Sequence, residues 1–313
     1  MILVCGEALF DLFAEETATG FQIDARIGGS PFNVAVGLSR LETQAAFFSG
    51  LSTDLFGRRL RQALKSEGVD LRFAVQKNAP TTLSVVSLGP DGSPEYAFNG
   101  EGAADRLIET GDLPKLDDKI EAIHLGSFSA LVEPVGMSVL DLVRRESARR
   151  VISYDPNIRP TVVPDMESWR ARLEELLDHV HILKISAEDL ENLYSGADRV
   201  TLAASWIERG VRLVIVTDGG KGAYGFTAGR ELHVPGRTVD VADTVGAGDS
   251  FQAALLAALS RKGLLKADRL RNIDVDTLSA ILSFAVDAAA ITCSRRGADL
   301  PSLGDLASLQ AQP

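Results

Sequence analysis

The most informative part of this sequence is the run Asp243-Thr-Val-Gly-Ala-Gly-Asp-Ser-Phe251, which is followed directly by an apolar stretch rich in helix formers, residues 252–259. A glycine-rich turn therefore leads into the N-terminus of a buried helix. Because Gly246, Ala247 and Gly248 have small side chains or none, phosphate oxygens can approach their backbone N–H groups, and the helix dipole favours negative charge there. The run predicts an anion-binding turn.

Asp249 lies at the mouth of this turn, where a carboxylate would repel phosphate unless it acted on a neighbouring hydroxyl group. Phosphoryl transfer requires a base for the proton of the attacking hydroxyl, and donors that neutralise charge on the transferred group. We therefore predict that Asp249 is the catalytic base and that the amides of residues 246–248 hold the transferred phosphate. The alternative is that Asp249 only caps the helix and the glycines only form a tight turn. The joint occurrence of loop, acid and buried helix favours catalysis.

Short apolar runs alternate with amphipathic segments from about residue 120 onward, which is typical of a parallel sheet covered by helices. The predicted strands are residues 2–7, 120–127, 151–157, 181–186 and 212–217. The predicted helices are residues 133–150, 167–180 and 199–210. The pattern predicts an α/β fold with a mainly parallel central sheet flanked by helices, and the length fits one large domain or two medium ones.

Two stretches depart from this alternation. Residues 9–28 and 69–98 contain β-type runs with turn signals, including Pro90-Asp91-Gly92, and no helical pattern. We predict that about 9–28 and 69–100 form a small β-sheet lid that stands off the main domain and closes over a substrate. The alternative is an antiparallel extension at the edge of the main sheet.

The composition excludes several classes of protein. With 313 residues, 45% of them hydrophobic, the chain can bury a sizeable core. A formal net charge of -11 argues against nucleic-acid binding, because such proteins concentrate basic residues on one face. No uninterrupted apolar run is long enough to predict a membrane span. Two cysteines without a close partner, Cys5 and Cys293, and an N-terminus unlike a signal peptide suggest the cytoplasm.

Other phosphate-binding and cofactor-binding motifs do not fit. In Gly219-Gly-Lys-Gly222 a glycine follows Lys221, where a P-loop requires serine or threonine. The first strand leads into Cys5-Gly-Glu-Ala8, which is not a dinucleotide-binding fingerprint. These departures count against a P-loop enzyme and a dehydrogenase.

The residues resemble the ribokinase-like (PfkB) family of carbohydrate kinases over essentially the whole chain. The run that ends at Phe251 is similar to the C-terminal signature of that family, and Gly28-Gly-Ser-Pro-Phe-Asn33 is similar to the N-terminal signature. The resemblance implies a single ribokinase-like domain covering residues 1–313, with a β lid, a sugar pocket beneath the lid and ATP along the edge of the sheet. It also implies ATP and Mg²⁺ as cofactors.

The resemblance implies roles for further residues by their positions in these and other matching segments. The implied sugar-binding residues are Asp11, Gly29, Asn33 and Arg159, and the implied nucleotide-binding residues are Asn157, Lys184, Thr217, Gly219 and Gly248. Asp189 would orient water bound to Mg²⁺, although this sequence departs from the family there, with Ser186 in place of asparagine and Asp189 in place of glutamate. Asp243 would lie near carbonyl groups of residues 292–298 around a monovalent cation, K⁺.

Within the family, the segments that most resemble those of fructokinases are Gly6-Glu-Ala-Leu-Phe-Asp11, Gly28-Gly-Ser-Pro-Phe-Asn33, Pro80-Thr-Thr82 and Gly100-Glu-Gly-Ala-Ala-Asp-Arg106. This resemblance implies transfer of phosphate from ATP to a primary hydroxyl of D-fructose. One alternative is 2-keto-3-deoxygluconate kinase, whose acidic substrate would require cationic contacts such as Arg159 and Arg106. Another is a catalytically silent sugar sensor, although binding a sugar does not require a base. Exposed lid strands make a homodimer through the lid a further hypothesis.

Overall fold

The computed structural model describes residues 1–88 and 94–310, so the predicted turn Pro90-Asp91-Gly92 lies outside the described residues. The strands are β1 (Ile2–Cys5), β2 (Leu9–Thr17), β3 (Gly20–Gly28), β4 (Ala45–Phe48), β5 (Gly50–Ser52), β6 (Val75–Lys77), β7 (Leu83–Leu88), β8 (Pro94–Asn99), β9 (Ala122–Gly126), β10 (Val151–Asp155), β11 (Ile182–Ser186), β12 (Leu213–Thr217), β13 (Ala223–Thr227) and β14 (Arg230–Val234). The helices are α1 (Ser30–Arg40), α2 (Leu55–Ser66), α3 (Val135–Glu146), α4 (Met166–Leu177), α5 (Ala187–Leu193), α6 (Arg199–Arg209), α7 (Ala247–Arg261), α8 (Ala267–Arg271), α9 (Val275–Cys293) and α10 (Leu303–Gln310).

The main sheet has eight strands in the order β14-β13-β12-β11-β10-β9-β1-β4. The strands from β12 to β4 are parallel, and β13 and β14 are added antiparallel at one edge. Each of the five predicted strands is present within two residues of its predicted bounds. The strand predicted to reach residue 157 ends at Asp155 because Pro156 has no N–H to donate and Asn157 adopts a positive φ of 43°.

Two hydrophobic cores cover the two faces of this sheet. One contains apolar residues of α1, α2, α7 and α9, and the other contains apolar residues of α3, α4, α5 and α6. Successive residues of β1 alternate between them, with Ile2 and Val4 in the first core and Leu3 and Cys5 in the second. The central strands are mostly apolar because both of their faces are buried, and their buried polar residues include Asp155 and Lys184.

Helix α9 has 19 residues and a mean hydropathy of 1.5, which by length and composition alone would allow it to cross a membrane. Half of the apolar window is buried inside the fold, where the helix packs against α7 and α10. Its uninterrupted apolar runs are short, because Asp276 and Asp287 interrupt the helix. Its burial is that of a core helix.

A second, four-stranded sheet has the order β3-β2-β7-β8 and is separate from the main sheet. Its strands pair with one another, so among the described residues they do not extend the edge of the main sheet. The segment predicted to begin at residue 69 enters this sheet only at Leu83. Before that point β6 pairs with β5, and Asp54 accepts hydrogen bonds from the N–H and hydroxyl of Thr81, at 2.8 and 2.7 Å. These contacts tie residues 69–82 to the main domain.

Close packing of α1 on α7 brings the two signature motifs together. Gly37 lies in this contact, and a Cβ atom added to it would be 2.7 Å from the Cβ of Ala253 in α7 and 2.6 Å from Cδ2 of Leu300. Both distances are shorter than van der Waals contact. The helices therefore approach as closely as they do because position 37 has no side chain.

We expect Gly37→Ala to lower the free energy of unfolding by about 1–2 kcal/mol, because overpacking of a core costs about 1–3 kcal/mol and alanine recovers part of this through its helix propensity. The measurement is chemical denaturation. Gly111→Ala is the matched control, because Gly111 has open space around its Cβ position and no positive φ. Equal stability of the two variants would contradict the close contact of α1 with α7.

Candidate active site

A cleft of about 930 Å³ lies between the small sheet and the carboxyl ends of the parallel strands. This is the expected place for a ligand in an open α/β sheet. The predicted site residues that line the cleft are Asp11, Gly29, Asn33, Asn157, Arg159, Lys184, Asp189, Thr217, Gly219, Asp243, Gly246, Gly248 and Asp249. Ala247, the remaining predicted residue, is adjacent to them as the first residue of α7. The fold therefore brings widely separated motifs to one cleft.

The carboxylate of Asp249 is held by two side chains from the start of α1. Ser30 Oγ donates a hydrogen bond to Oδ1 at 2.6 Å, and Asn33 Nδ2 donates one to Oδ2 at 2.8 Å. All three residues are buried. We predicted a contact of Asn33 with sugar, whereas in this structure its amide contacts the predicted base. Ser30 was missed, although it lies inside the N-terminal motif.

The glycine-rich turn has the geometry of an anion site. Gly246 precedes α7 with a φ of 79°, a left-handed conformation that favours glycine. Gly248 is in the first helical turn, and a Cβ atom added to it would be 3.3 Å from Nζ of Lys184. The N-terminus of α7 and an ammonium group thus lie close together, although the N–H of Ala247 already donates to the carbonyl of Thr244, at 3.3 Å. This arrangement can neutralise charge on a phosphate group.

Lys184 forms a buried ion pair with Asp155, with 2.7 Å between Nζ and Oδ2. The pair follows from the sheet, because Tyr154 of β10 lies opposite Leu183 of β11 and the next residues are therefore neighbours. Burial raises the pKa of Asp155, the ammonium group opposes this rise, and the charge of Asp249 adds to it. Sequence reasoning quoted Asp155 without assigning it a role.

Asp189 lies in the first turn of α5, where its N–H donates to Ser186 Oγ at 2.9 Å. Burial and then the neighbouring carboxylate of Asp155 raise the pKa of Asp189 to about 6. Oδ1 of Asp155 is buried and has no hydrogen-bond partner in the described part of the chain. The described residues contain no group of three or more side chains that could hold a metal ion by themselves. Any metal here would depend on further ligands.

Asp243 is anchored by backbone N–H groups on both of its carboxylate oxygens. Val245 donates to Oδ1 at 3.1 Å and Gly297 to Oδ2 at 2.9 Å. Although burial opposes the effect, these donors lower the pKa of Asp243. The carbonyl of Cys293 also accepts from the N–H of Asp243, at 3.2 Å. Asp243 and the segment 292–298, predicted to surround a cation, are therefore neighbours.

Asp11 and Arg159 lie at the end of the cleft that is covered by the small sheet. Burial raises the pKa of Asp11, while a hydrogen bond from Ser84 and the charge of Arg159 oppose the rise. Arg159 is exposed, and its Nη1 donates to the carbonyl of Ile158 at 2.9 Å. A polar ligand at this end would meet an acceptor and a donor together.

Arg106, the other cation considered for an acidic substrate, is not among the described residues that line the cleft. Its guanidinium lies 5.1 Å from the ring centres of both Phe98 and Phe128. Burial lowers the pKa of Arg106, and the charges of Asp105 and Glu7 oppose this. The side chain is thus enclosed by aromatic rings and acidic neighbours.

Comparison with known proteins decides the family. A protein-family model described as pfkB family carbohydrate kinase matches residues 1–303 of the sequence. The chain belongs to the pfkB family of carbohydrate kinases. The resemblance found in the sequence is confirmed, and so is the prediction of a carbohydrate kinase.

Relatives of this pfkB kinase are similar over nearly the whole chain. A fructokinase from Rhizobium leguminosarum bv. trifolii is 42% identical over 279 residues, 89% of this chain and 85% of that protein. A fructokinase from Xylella fastidiosa with bound ATP has a TM-score of 0.90 at 28% identity, covering 98% and 97% of the two chains. A double-mutant fructokinase from Vibrio cholerae O395, with fructose, ADP and potassium ion bound, has a TM-score of 0.83 at 26% identity, covering 98% and 97%. The predicted ribokinase-like fold is confirmed.

Glu7 lines the cleft of this pfkB kinase and was not predicted. It is 1% exposed, and Ser129 Oγ donates to its Oε2 at 2.5 Å. Burial raises its pKa from 4.5 to about 7, and the charge of Asp105 adds to the rise, although hydrogen bonds from Ser129 and Ser127 oppose it. Its sequence signal was its place inside Gly6-Glu-Ala-Leu-Phe-Asp11, at the end of the first predicted strand.

The raised pKa of Glu7 predicts a pH-dependent stability. Between pH 4.5 and about 7 the folded protein holds a proton that the unfolded chain has released, so this contribution to stability is lost as the pH rises through that range. Glu7→Gln keeps a neutral side chain. The unfolding free energy of Glu7→Gln minus that of the wild type should therefore increase with rising pH, by about 3 kcal/mol at most.

The measurement is chemical denaturation of both proteins at several values between pH 5 and pH 8. Glu231→Gln is the control, because Glu231 is exposed on the edge strand β14, and its difference from wild type should not follow this trend. A constant difference between Glu7→Gln and wild type would show that Glu7 is ionised throughout.

Proposed function

We propose that this pfkB kinase transfers the terminal phosphate of ATP to a primary hydroxyl of D-fructose. The observation that supports this most is the convergence of Asp249, a glycine-rich helix N-terminus and Lys184 at one point of the cleft. A base and an anion-binding turn are the two elements that phosphoryl transfer to an alcohol requires. The names of the similar proteins support fructose as the acceptor.

Asp249 is the proposed base. Ser30 and Asn33 each occupy one lone-pair site on its two oxygens, so the carboxylate has a fixed orientation and retains free lone pairs for the acceptor hydroxyl. A positioned base of this kind contributes about 10²- to 10⁴-fold to rate. The amides of residues 246–248 and the ammonium group of Lys184 stabilise the charge on the transferred group.

The proposed sugar contacts are Asp11, Asn33, the Gly29 backbone and Arg159. These groups present carboxylate, amide and guanidinium atoms that suit several hydroxyl groups of a neutral sugar. The packing of Arg106 between two rings counts against a carboxylate substrate, because this guanidinium does not line the cleft. Arg159, the other cation considered, does line the cleft, so the choice of fructose over 2-keto-3-deoxygluconate rests mainly on the names of the similar proteins.

The proposed nucleotide contacts are Asn157, Lys184, Thr217, Gly219 and Gly248. Nδ2 of Asn157 supports this assignment, because it is buried without a hydrogen-bond partner among the described residues and belongs to a residue that lines the cleft. Such a donor is suited to a phosphate oxygen. Thr217 and Gly219 lie at the carboxyl end of β12 and line the same cleft as Asn157.

Asp189 and Asp155 fit Mg²⁺ delivered with ATP. Mg²⁺ is usually held by one or two carboxylates together with substrate phosphates and water. The unpartnered Oδ1 of Asp155 and the buried carboxyl of Asp189 are such ligands. When bound, the ion would neutralise charge on the phosphate groups, and Asp189 would orient its water.

We also propose that K⁺ binds beside Asp243, with carbonyl groups of residues 292–298 as its ligands. The contact of Asp243 with Gly297 and Cys293 supports the location. The potassium ion bound to the Vibrio cholerae fructokinase supports the choice of ion. An ordered cation here would stabilise the turn that begins α7.

Three further assignments accompany the kinase function. The small sheet is proposed to act as a lid, because Asp11, Arg26 and Phe98 of its strands line the cleft.

A homodimer through this sheet is proposed because β3 and β8 are its edge strands and Ile23 is 53% exposed. Cytoplasmic location is proposed because both cysteines are free thiols.

The proposed function is tested by ADP release over a panel of sugars, with wild type and Asp249→Asn assayed in parallel. Fructose should support turnover in wild type, and Asp249→Asn should lower kcat by about 10²- to 10⁴-fold while fructose affinity changes little, since asparagine keeps the shape and removes the base. Asp276→Asn is the control, because Asp276 also lies in the first turn of a helix, α9, and is exposed.

Each contrary result of this assay has a defined meaning. Turnover with 2-keto-3-deoxygluconate in place of fructose would reassign the substrate. Sugar binding without turnover would favour the sensor. An undiminished rate for Asp249→Asn would place the base elsewhere.

Replacing K⁺ with tetramethylammonium at constant ionic strength should lower kcat several-fold, because the large ion cannot enter a site made of carbonyl groups and a carboxylate. The measurement is the same ADP-release assay with fructose. The Asp243→Asn variant should have lost most of this response. Equal wild-type rates in the two salts would remove the K⁺ proposal.

A further inference from the structure

Arg26 of β3 has no role in the function proposed above, although it lines the cleft. It extends from the small sheet to the main domain, where its Nη1 is 3.7 Å from the position that a Cβ atom on Gly297 would occupy. Gly297 is hydrogen-bonded to Asp243, at the start of the glycine-rich run. Arg26 therefore connects the small sheet with the region of the anion-binding turn.

The direction of the Arg26 side chain is set within the small sheet. Its Nε and Nη2 bind Oδ2 of Asp24 at 2.8 and 2.7 Å, and its guanidinium lies 4.9 Å from the ring centre of Phe13. These contacts involve one edge and one face of the guanidinium. Nη1 is the part that faces Gly297, so the group is held in place with a donor directed towards the main domain.

The strand register places Arg26 beside a proposed sugar contact. Asp11 of β2 lies directly opposite Arg26 of β3. Residues paired in this way project from the same face of an antiparallel sheet. A sugar held by Asp11 and an anion held by Arg26 would therefore be neighbours.

Carboxyl groups outnumber cationic side chains in the cleft, so an anionic phosphate would need a cation such as Arg26 there. Of the described residues that line it, seven carry a carboxyl group and three carry a cationic side chain: Arg26, Arg159 and Lys184. Lys184 is paired with Asp155, and Arg159 donates to a carbonyl of its own loop at the sugar end. Arg26 is the cation of this set that comes from the small sheet and reaches the neighbourhood of the turn.

We propose that Arg26 binds the terminal phosphate of ATP once a sugar is held beneath the small sheet. The inference rests on the kinase function proposed above and adds a phosphate contact from the small sheet. A guanidinium group can bind two phosphate oxygens at once, which gives both charge and orientation. Because Arg26 and Asp11 share one face, sugar binding and phosphate binding are coupled through the same strand pair.

The test is calorimetric titration of fructose-saturated enzyme with Mg²⁺ and either ADP or the non-hydrolysable β,γ-imido analogue of ATP. Arg26→Gln should weaken binding of the analogue by about 10- to 100-fold, the usual effect of a charge-assisted hydrogen bond. Binding of ADP, which has no terminal phosphate to contact, should change by less than about threefold on the same reasoning. Arg26→Lys should recover part of the loss.

Arg72→Gln is the matched control. Arg72 also stacks on a phenylalanine, with 4.7 Å to the ring centre of Phe73, and pairs with Asp70, but it is remote from the cleft lining. It should leave both nucleotide affinities unchanged. Equal losses for ADP and the analogue in Arg26→Gln, or a loss confined to fructose binding, would overturn the proposal, since either would mean that Arg26 only supports the sheet.

The readout separates this inference from the proposed function. An incorrect fructose assignment would appear as absent ADP release from wild type with fructose, alongside release with another substrate of the panel. The titrations measure nucleotide binding and not turnover. With the sugar that the panel identifies, they test Arg26 independently.

Discussion

The site depends on one contact between helices that are far apart in the chain. Ser30 and Asn33 at the start of α1 hold both oxygens of Asp249 at the start of α7. This contact is possible because Gly37 lets the two helices pack closely on one face of the sheet. The N-terminal motif therefore positions the base that the C-terminal motif supplies, and neither motif forms the site alone.

Electrostatics explains why the base can operate beside a phosphate site. The helix N-terminus and Lys184 supply positive charge where an anion would bind, while Asp155 keeps the ammonium group buried and oriented. A buried pair of this kind adds little to stability, because desolvation offsets the attraction. Its value lies in placing a charge at a defined point. The excess of carboxyl groups around it is consistent with a substrate that arrives with a divalent cation.

Sequence patterns predicted the five strands from β1 to β12 that they identified because strands buried on both faces are mostly apolar. The glycine-rich run predicted the turn because few side chains fit there. They did not predict contacts that depend on register and packing. Ser30 and Glu7 lie inside motifs and Arg26 lies outside them, but all three gain their positions only when strands and helices are assembled. The same limit applies to β6, whose pairing with β5 no local pattern indicated.

The most direct test of the central claim is a crystal structure with fructose and the non-hydrolysable ATP analogue bound together. We expect the oxygen of a primary hydroxyl about 3 Å from the carboxylate of Asp249, and the terminal phosphate against the N–H groups of residues 246–248. A sugar hydroxyl remote from Asp249, or a phosphate bound away from the start of α7, would contradict the account.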